Sequence, residues 1–156
     1  DVVGVTGGAS VGERDFARQM FAPLGLELVF DKVAIKPGKP VWMARAGGTL
    51  VVGLPGNPTS AMVTARLFLA PLLLGLAGRN PREALAWRSM TLATSLSREG
   101  DRETFHRGRA TLGGVTLAVD QDSSAQRALA ASDLLVRRRP GEPPAAAGDY
   151  VAVLDL

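Results

Sequence analysis

The alternation of hydrophobic and polar residues divides the first half of the chain into strands and helices. Short apolar or alternating runs predict four strands, at residues 2–5, 26–33, 41–44 and 49–52. Gly47 and Gly48 separate the last two strands, which favours a hairpin. A helix is predicted over residues 13–24, because apolar side chains recur there at helical spacing, at Phe16, Met20, Phe21 and Leu24.

A second, longer helix is predicted from Pro58 to about Leu76. Asn57 suits the position that caps a helix N-terminus, and proline is favoured at the first helical position. The order strand, loop, helix therefore occurs twice within residues 1–80. This repetition predicts an α/β domain with a mostly parallel sheet.

The pattern of the sequence changes near residues 78–81, where strands and helices give way to short strands. We place a domain boundary there. Beyond it, short apolar segments between turn residues predict strands at residues 87–93, 104–112, 115–119, 134–138 and 150–154. Several short strands with regular turns are typical of a small β-barrel or sandwich. One strand region predicts an exposed basic face, formed by Arg102, His106, Arg107 and Arg109.

Composition excludes several kinds of site. The chain has no cysteine and one histidine, which excludes disulfides, thiolate metal sites and multi-histidine metal sites. The longest apolar run, residues 67–77, is shorter than the roughly 20 residues that span a bilayer. It contains Pro71, and a buried helix is predicted there. No basic-then-apolar leader opens the chain, so we expect a cytoplasmic protein without a membrane partner.

Positive charge is concentrated in the first half of the chain. Residues 1–80 contain eight Lys or Arg against five Asp or Glu, whereas residues 81–156 contain ten of each. The three lysines of the chain are Lys32, Lys36 and Lys39. Prolines at positions 37 and 40 stiffen this segment, so its lysines project from a fixed irregular loop. A compact, strongly hydrated ammonium group is common in phosphate sites.

Two glycine-bearing turns each connect a predicted strand to a predicted helix. Glycine lets the backbone approach a ligand closely, and the first N–H groups of a helix attract anions such as phosphate. The first turn contains Gly7, Gly8, Ser10 and Gly12, and the second contains Gly53, Gly56, Asn57 and Ser60. Either turn alone could merely connect its elements, but two turns flanking the lysines favour a ligand site. Asp15 could stabilise the helix N-terminus or hold a divalent ion.

Three segments resemble the signatures of a known family. They are similar to motifs of molybdopterin molybdenumtransferases, the MoeA and gephyrin E-domain family, at residues 6–12 (T-G-G-A-S-V-G) with Asp15, 34–40 (A-I-K-P-G-K-P) and 53–58 (G-L-P-G-N-P). The three occur in the family's order. The resemblance covers nearly the whole chain, most strongly residues 1–80.

The resemblance implies a fold, an activity and a set of site residues. Residues 1–80 would be the later half of a molybdopterin-binding α/β domain, and residues 82–156 a C-terminal β-barrel domain. The chain would then be a C-terminal fragment, expected to be inactive alone. Family members insert molybdenum from molybdate into adenylylated molybdopterin, release AMP, use Mg²⁺ or a similar ion, and form homodimers at full length.

The family's site residues can be carried over by position. Asp15, Lys32 and Lys36 match catalytic residues, with Asp15 as the metal ligand. The pterin-binding residues would be Gly7, Gly8, Ser10, Gly12, Lys36, Gly38, Lys39, Gly53, Pro55, Gly56, Asn57 and Ser60. One departure lies in the second half, where Arg127 and Ala128 replace an expected serine pair.

Other functions explain fewer of these residues. A molybdopterin adenylyltransferase shares the first glycine turn, but the lysine segment and the appended β domain fit the molybdenumtransferase better. A non-catalytic scaffold, as gephyrin is in receptor clustering, would need an exposed apolar groove near residues 104–139. Only the pI of about 9.9 suggests nucleic-acid binding. We expect none, because no aromatic residue interleaves with the arginines at 137–139.

Overall fold

The computed structural model describes residues 1–7, 16–122 and 126–156. The strands are β1 (Val2–Thr6), β2 (Leu26–Phe30), β3 (Ile35–Lys36), β4 (Trp42–Ala46), β5 (Thr49–Leu54), β6 (Arg88–Thr91), β7 (Glu103–Thr111), β8 (Gly114–Leu117), β9 (Leu134–Arg138) and β10 (Tyr150–Asp155). The helices are α1 (Ala17–Phe21), α2 (Pro58–Thr64), α3 (Ala70–Leu76) and α4 (Gln126–Ala130). Short 3₁₀ turns occur at Ala22–Leu24 and Pro81–Leu85.

Four strands form the first sheet, in the order β1–β5–β4–β2. β1 pairs parallel with β5, whereas β5 with β4 and β4 with β2 are antiparallel. The predicted mostly parallel sheet is not confirmed, because the hairpin through Gly47 (φ +57°) reverses the chain between β4 and β5. β1, β2 and β5 nevertheless run in one direction, so their carboxyl ends meet at one edge of the sheet.

Helices cover both faces of this sheet, which is the layered arrangement of an α/β fold. α1 lies on one face, over a core of Ala17, Trp42, Ala44, Ala46 and Val51. α2 and α3 lie on the other face, over Val41, Val52 and Leu54. The prediction of an α/β arrangement for the first half is therefore confirmed, with a mixed sheet.

The apolar face predicted for the first helix is largely exposed. α1 begins at Ala17, and the start of the predicted helix falls in residues 8–15, outside the described residues. Phe21 packs partly against the core, while Phe16, Met20 and Leu24 are exposed. The helix instead approaches the sheet through the small, buried side chain of Ala17.

A helix of 19 residues runs from Pro58 to Leu76 and continues through Pro71. Asn57 caps its N-terminus, as predicted. A π-helical turn at Ala65–Leu69 joins α2 to α3 just before the proline. Proline lacks the N–H of a regular helical bond, and a wider turn accommodates that loss.

This helix is also long and apolar enough, by length and composition alone, to cross a membrane. In the fold it packs against protein, with Thr59 and Thr64 fully buried. Its first turns are buried, but no residue from Ala65 to Leu76 is fully buried, so the buried helix predicted over residues 67–77 is not confirmed. Leu73 and Leu76, which were predicted to be buried, are exposed.

The second sheet has six strands, five in the order β3–β7–β9–β10–β6 with β8 paired to β7. β3 runs parallel to β7, and the other pairs are antiparallel. Beyond these ladders, the β6 and β8 ends meet at an isolated bridge between Leu92 and Val115. One bridge is not a strand ladder, so a closed barrel is not confirmed among the described residues.

Two elements of this region are absent from the sequence prediction. β3 comes from the lysine segment and pairs with Glu103 and Thr104. It is two residues long, which is too short to produce a periodic pattern. α4 has five residues and none of them is buried, so no apolar stripe marks it.

The two halves of the chain share a core. It is formed by Ile35, Val63, Phe105, Leu135 and Leu154. Arg66 adds polar contacts, since its Nε donates to the carbonyl oxygen of Asp155 at 2.7 Å and its Nη1 donates to that of Ala84. The halves therefore pack against each other, and the division into domains at residues 1–80 and 82–156 stays a prediction.

Gly53 lies inside β5, where it makes room for Trp42. The two residues are partners across β4 and β5, and a Cβ atom on Gly53 would lie 1.9 Å from Trp42 Nε1. Trp42 is completely buried, so its ring has little space to move. Packing therefore requires glycine at this position.

We expect Gly53→Ala to destabilise the chain by about 1–3 kcal/mol, as overpacking of a core does. Urea denaturation followed by circular dichroism measures the change. Gly48→Ala is the matched control, because no atom lies within 4 Å of its Cβ position. In a Trp42→Ala background, Gly53→Ala should lower the free energy of unfolding by less. An equal loss with and without the indole would contradict the packing role.

Candidate functional site

The two glycine turns meet at one edge of the first sheet. β1 ends at Thr6 and β5 ends at Leu54, on neighbouring parallel strands. The backbone N–H of Gly7 donates to the carbonyl oxygen of Leu54 at 3.1 Å. A Cβ atom on Gly56 would lie 3.2 Å from Gly7 Cα. The structure therefore brings the two predicted turns together through Gly7 and Gly56.

Some predicted site residues lie apart from this contact. Lys32 is exposed, two residues beyond the end of β2 at the same sheet edge. Four predicted residues, Gly8, Ser10, Gly12 and Asp15, fall outside the described residues. Their roles stay predictions.

The lysine segment is held between the first sheet and α2. The backbone N–H of Val33 donates to the carbonyl oxygen of Lys39 at 3.0 Å. Gly38 has φ +109°, and a Cβ atom there would lie 2.4 Å from Thr64 Cγ2. Glycine thus permits both the backbone conformation and the close approach to α2. Lys36 and Lys39 project from a fixed backbone.

An open cavity of about 550 Å³ lies between the two halves of the chain. The first half contributes Lys36, Pro37, Gly38, Lys39, Pro40 and Ser60, and the second half contributes Arg102, Gln121 and Asp122. Among the described residues, three cationic residues and one acidic residue therefore line the cavity. This balance favours an anionic ligand.

Asn57 has a structural role at the start of α2. Its side-chain oxygen accepts hydrogen bonds from the backbone N–H groups of Thr59 (3.1 Å) and Ser60 (3.3 Å). These two helix donors are therefore already paired within the protein and do not face the cavity as free donors. Gly53 and Pro55 are buried and lie outside the cavity lining.

Arg107 on β7 is fully buried and links the two halves. Its guanidinium donates to Thr59 Oγ1 at 3.4 Å and to the carbonyl oxygens of Asp120 and Asp122 at 3.1 and 2.9 Å. The Gln121 side chain accepts from the N–H of Arg107 at 3.0 Å and donates to its carbonyl oxygen at 2.8 Å. Burial lowers the pKa of Arg107, and the nearby carboxylates of Asp120 and Asp122 oppose this shift. Arg107 thus fixes the turn that forms one wall of the cavity.

The basic residues in and beside β7 do not form the predicted exposed face. Arg102 lines the cavity, Arg107 is buried, and His106 Nε2 lies 2.6 Å from a carboxylate oxygen of Glu99. Arg109 alone among the four is exposed. The alternation of side chains along a strand predicts the burial of Arg107. This residue lies two positions after Phe105 and therefore on the same, buried face.

The described residues do not by themselves build a magnesium site. Among them, no group of three or more His, Asp or Glu side chains could hold a metal ion. Asp122 is the single carboxylate of the cavity lining. Magnesium usually needs one or two carboxylates together with substrate phosphate. The predicted ligand, Asp15, lies outside the described residues, so Mg²⁺ stays a prediction.

Two family models match the chain in succession. Residues 1–75 match the family described as "Probable molybdopterin binding domain". Residues 89–156 match the family described as "MoeA C-terminal region (domain IV)". The first match contains both glycine turns and the lysine segment, and the second contains Arg102 and Arg107.

Curated relatives and a solved structure show the same similarity. The molybdopterin molybdenumtransferase of Synechococcus elongatus is 38% identical over 154 residues, which cover 97% of this chain and 37% of that protein. That of Haemophilus influenzae is 37% identical over 108 residues, covering 69% and 26%. The crystal structure of a molybdopterin biosynthesis MoeA protein from Pyrococcus horikosii has a TM-score of 0.76 and 27% identity, covering 97% of this chain and 36% of that one.

The chain thus spans 37% of the length of its Synechococcus relative. Within that span the two family models follow each other in order, and the fold matches that of a solved MoeA protein over 97% of the chain. Sequence and fold agree, and the chain belongs to the MoeA family of molybdopterin molybdenumtransferases.

Proposed function

We propose that this chain forms the oxyanion-binding part of a molybdopterin molybdenumtransferase site. The complete reaction inserts molybdenum from molybdate into adenylylated molybdopterin and releases AMP. The cationic cavity between the two halves is the observation that supports this function. Both named bacterial relatives are molybdopterin molybdenumtransferases.

Lys36, Lys39 and Arg102 would bind the molybdate dianion. A pair of opposite unit charges about 4 Å apart gains roughly 4 kcal/mol at an effective dielectric constant of about 20. Three such cations therefore outweigh the repulsion from one carboxylate, that of Asp122. Because the backbone of the lysine segment is fixed, these charges need little reorganisation when molybdate reacts.

The phosphate of the pterin would bind at the glycine turns. Gly7 and Gly56 approach each other closely at this sheet edge, and neither carries a side chain that would cover the backbone there. Lys32, at the same sheet edge, would neutralise part of the ligand charge. The remaining predicted contacts come from Gly8, Ser10 and Gly12, while Gly53, Pro55 and Asn57 would support the site by fixing β5 and the start of α2. Asp15 would hold Mg²⁺, and this ion would neutralise negative charge on the phosphate.

The adenylyltransferase alternative explains less of the structure. It accounts for the first glycine turn, but it gives no role to the lysine segment. It also leaves the wall contributed by Arg102, Gln121 and Asp122 unexplained. The molybdenumtransferase uses both halves of the chain.

The scaffold alternative requires an exposed apolar groove near residues 104–139. A mainly apolar depression of about 430 Å³ lies there and includes Val119, Arg127 and Ala128 in its lining. Nothing in the described residues indicates an occupant, so we favour the enzymatic role. The two residues that replace the family's serine pair line this depression and not the cationic cavity.

The remaining expectations concern the whole protein. We propose that it is a cytoplasmic homodimer at full length, with small-molecule substrates and neither nucleic-acid nor membrane partners. The fold and the similarity to biosynthetic enzymes support this proposal.

We expect Lys36→Ala and Lys39→Ala each to weaken molybdate binding about 10-fold, which corresponds to about 1.4 kcal/mol. Each substitution removes one of three cations from the cavity. Isothermal titration of the chain with molybdate measures the affinity. Arg45→Ala is the matched control, because Arg45 is exposed and lies outside the cavity lining. Unchanged affinity in both lysine variants, or an equal loss in the arginine control, would contradict the proposed site.

We expect Arg107→Met to destabilise the chain by about 1–3 kcal/mol, because it leaves the buried hydroxyl of Thr59 and the part-buried carbonyl oxygens of Asp120 and Asp122 without their donor. Molybdate affinity should fall as well, since the turn at residues 120–122 loses its anchor. Thermal denaturation and titration measure the two effects. Arg109→Met, on the exposed part of the same strand, should change neither. If Arg107→Met were as stable as Arg109→Met, the linking role would be wrong.

A further inference from the structure

A cation–aromatic pair lies on the α1 side of the first sheet. The guanidinium carbon of Arg18 lies 5.3 Å from the ring centroid of Trp42. Arg18 belongs to α1, and Trp42 begins β4. A guanidinium stacked on a buried indole forms an attractive contact, so the pair holds the helix and the strand in a defined relation.

The same arginine also holds the segment that leads to Lys32. Its Nη2 donates to the carbonyl oxygen of Asp31 at 3.0 Å. Asp31 follows β2 and directly precedes Lys32, for which we propose a role beside the glycine turns. Arg18 therefore restrains the backbone on which this lysine is mounted.

The indole of Trp42 reaches the strand that enters the second glycine turn. It lies against Gly53, and no side chain could occupy the space between them. Gly53 is also paired with Val5 in β1, the strand that enters the first turn. Trp42 itself comes two residues after Pro40, at the end of the lysine segment. The first-half segments that lead into the ligand site thus adjoin this pair in sequence or in space.

The pair is not arranged for stability alone. Trp42 Nε1 and Arg18 Nε are both buried, and within the described part of the chain neither has a hydrogen-bond partner. An unpaired buried donor is destabilising, and an apolar side chain of similar shape would avoid that cost. The contact therefore carries a cost that core packing alone does not require.

We infer that Arg18 is a positioning residue, which acts through its stack on Trp42 and its bond to Asp31 to hold Lys32 at the sheet edge where the glycine turns lie. This inference rests on the proposed function. Arg18 does not line the cationic cavity, so its effect should concern adenylylated molybdopterin and not molybdate.

A double-mutant cycle tests this assignment. Arg18→Ala should weaken the binding of adenylylated molybdopterin by the chain about 5-fold, and Lys32→Ala about 10-fold. If Arg18 acts through Lys32, the double variant should bind as weakly as Lys32→Ala alone. Arg18→Lys should recover part of the affinity, because it keeps a donor for Asp31 and a cation over the indole. All titrations are made at a temperature where every variant is folded, as circular dichroism verifies.

Three results would overturn the assignment. They are unchanged affinity in Arg18→Ala, additive losses in the double variant, and a loss in Arg18→Ala equal to that of the exposed control Arg45→Ala. Molybdate titration of Lys36→Ala in the same series separates this inference from the proposed function. If Lys36→Ala weakens molybdate binding while Arg18→Ala binds the pterin normally, the proposed function of the cavity is supported and the positioning role of Arg18 is wrong. If Lys36→Ala leaves molybdate binding unchanged, the proposed function itself is wrong.

Discussion

The pairing of β3 with β7 is the contact on which the candidate site depends. Ile35 pairs with Glu103 and Lys36 pairs with Thr104, so a segment of the first half becomes a strand of the second sheet. Ile35 is buried in the core that both halves share. This pairing places Lys36 beside the strand that Arg102 precedes. Without it the cations of the two halves would belong to separate surfaces, so the charge of the cavity is a consequence of how the halves pack.

Glycine occurs in the family motifs for different physical reasons at different positions. Gly38 is required by its positive φ and by its contact with Thr64, and Gly53 is required by the indole of Trp42. Gly7 and Gly56 contact each other at the sheet edge, where a ligand could approach the backbone. A sequence motif therefore combines residues that build the scaffold with residues that leave space for a ligand. Packing measurements and binding measurements can separate the two groups.

Local patterns predicted much of this fold, and long-range pairing explains most of what they missed. The bounds of β9 were predicted as residues 134–138, and Asn57 was predicted to cap α2. The parallel direction of β1 and β5 made it possible to expect that their turns meet. The existence of β3 depends on a partner strand far along the chain, which periodicity does not identify, whereas strand alternation from Phe105 places Arg107 on the buried face. Periodicity also found the apolar positions of α1 without showing that Met20 would face solvent.

The shared wall of the cavity restricts how this chain can diverge. A half exchanged with that of a distant relative would have to match both the core that the two halves share and the cavity wall that the other half contributes. Without such a match, Arg107 would meet a helix start without a hydroxyl in the right place, and the turn it anchors would shift. An exchange of one half near residue 80 would therefore disturb the cavity even where each sheet stayed intact.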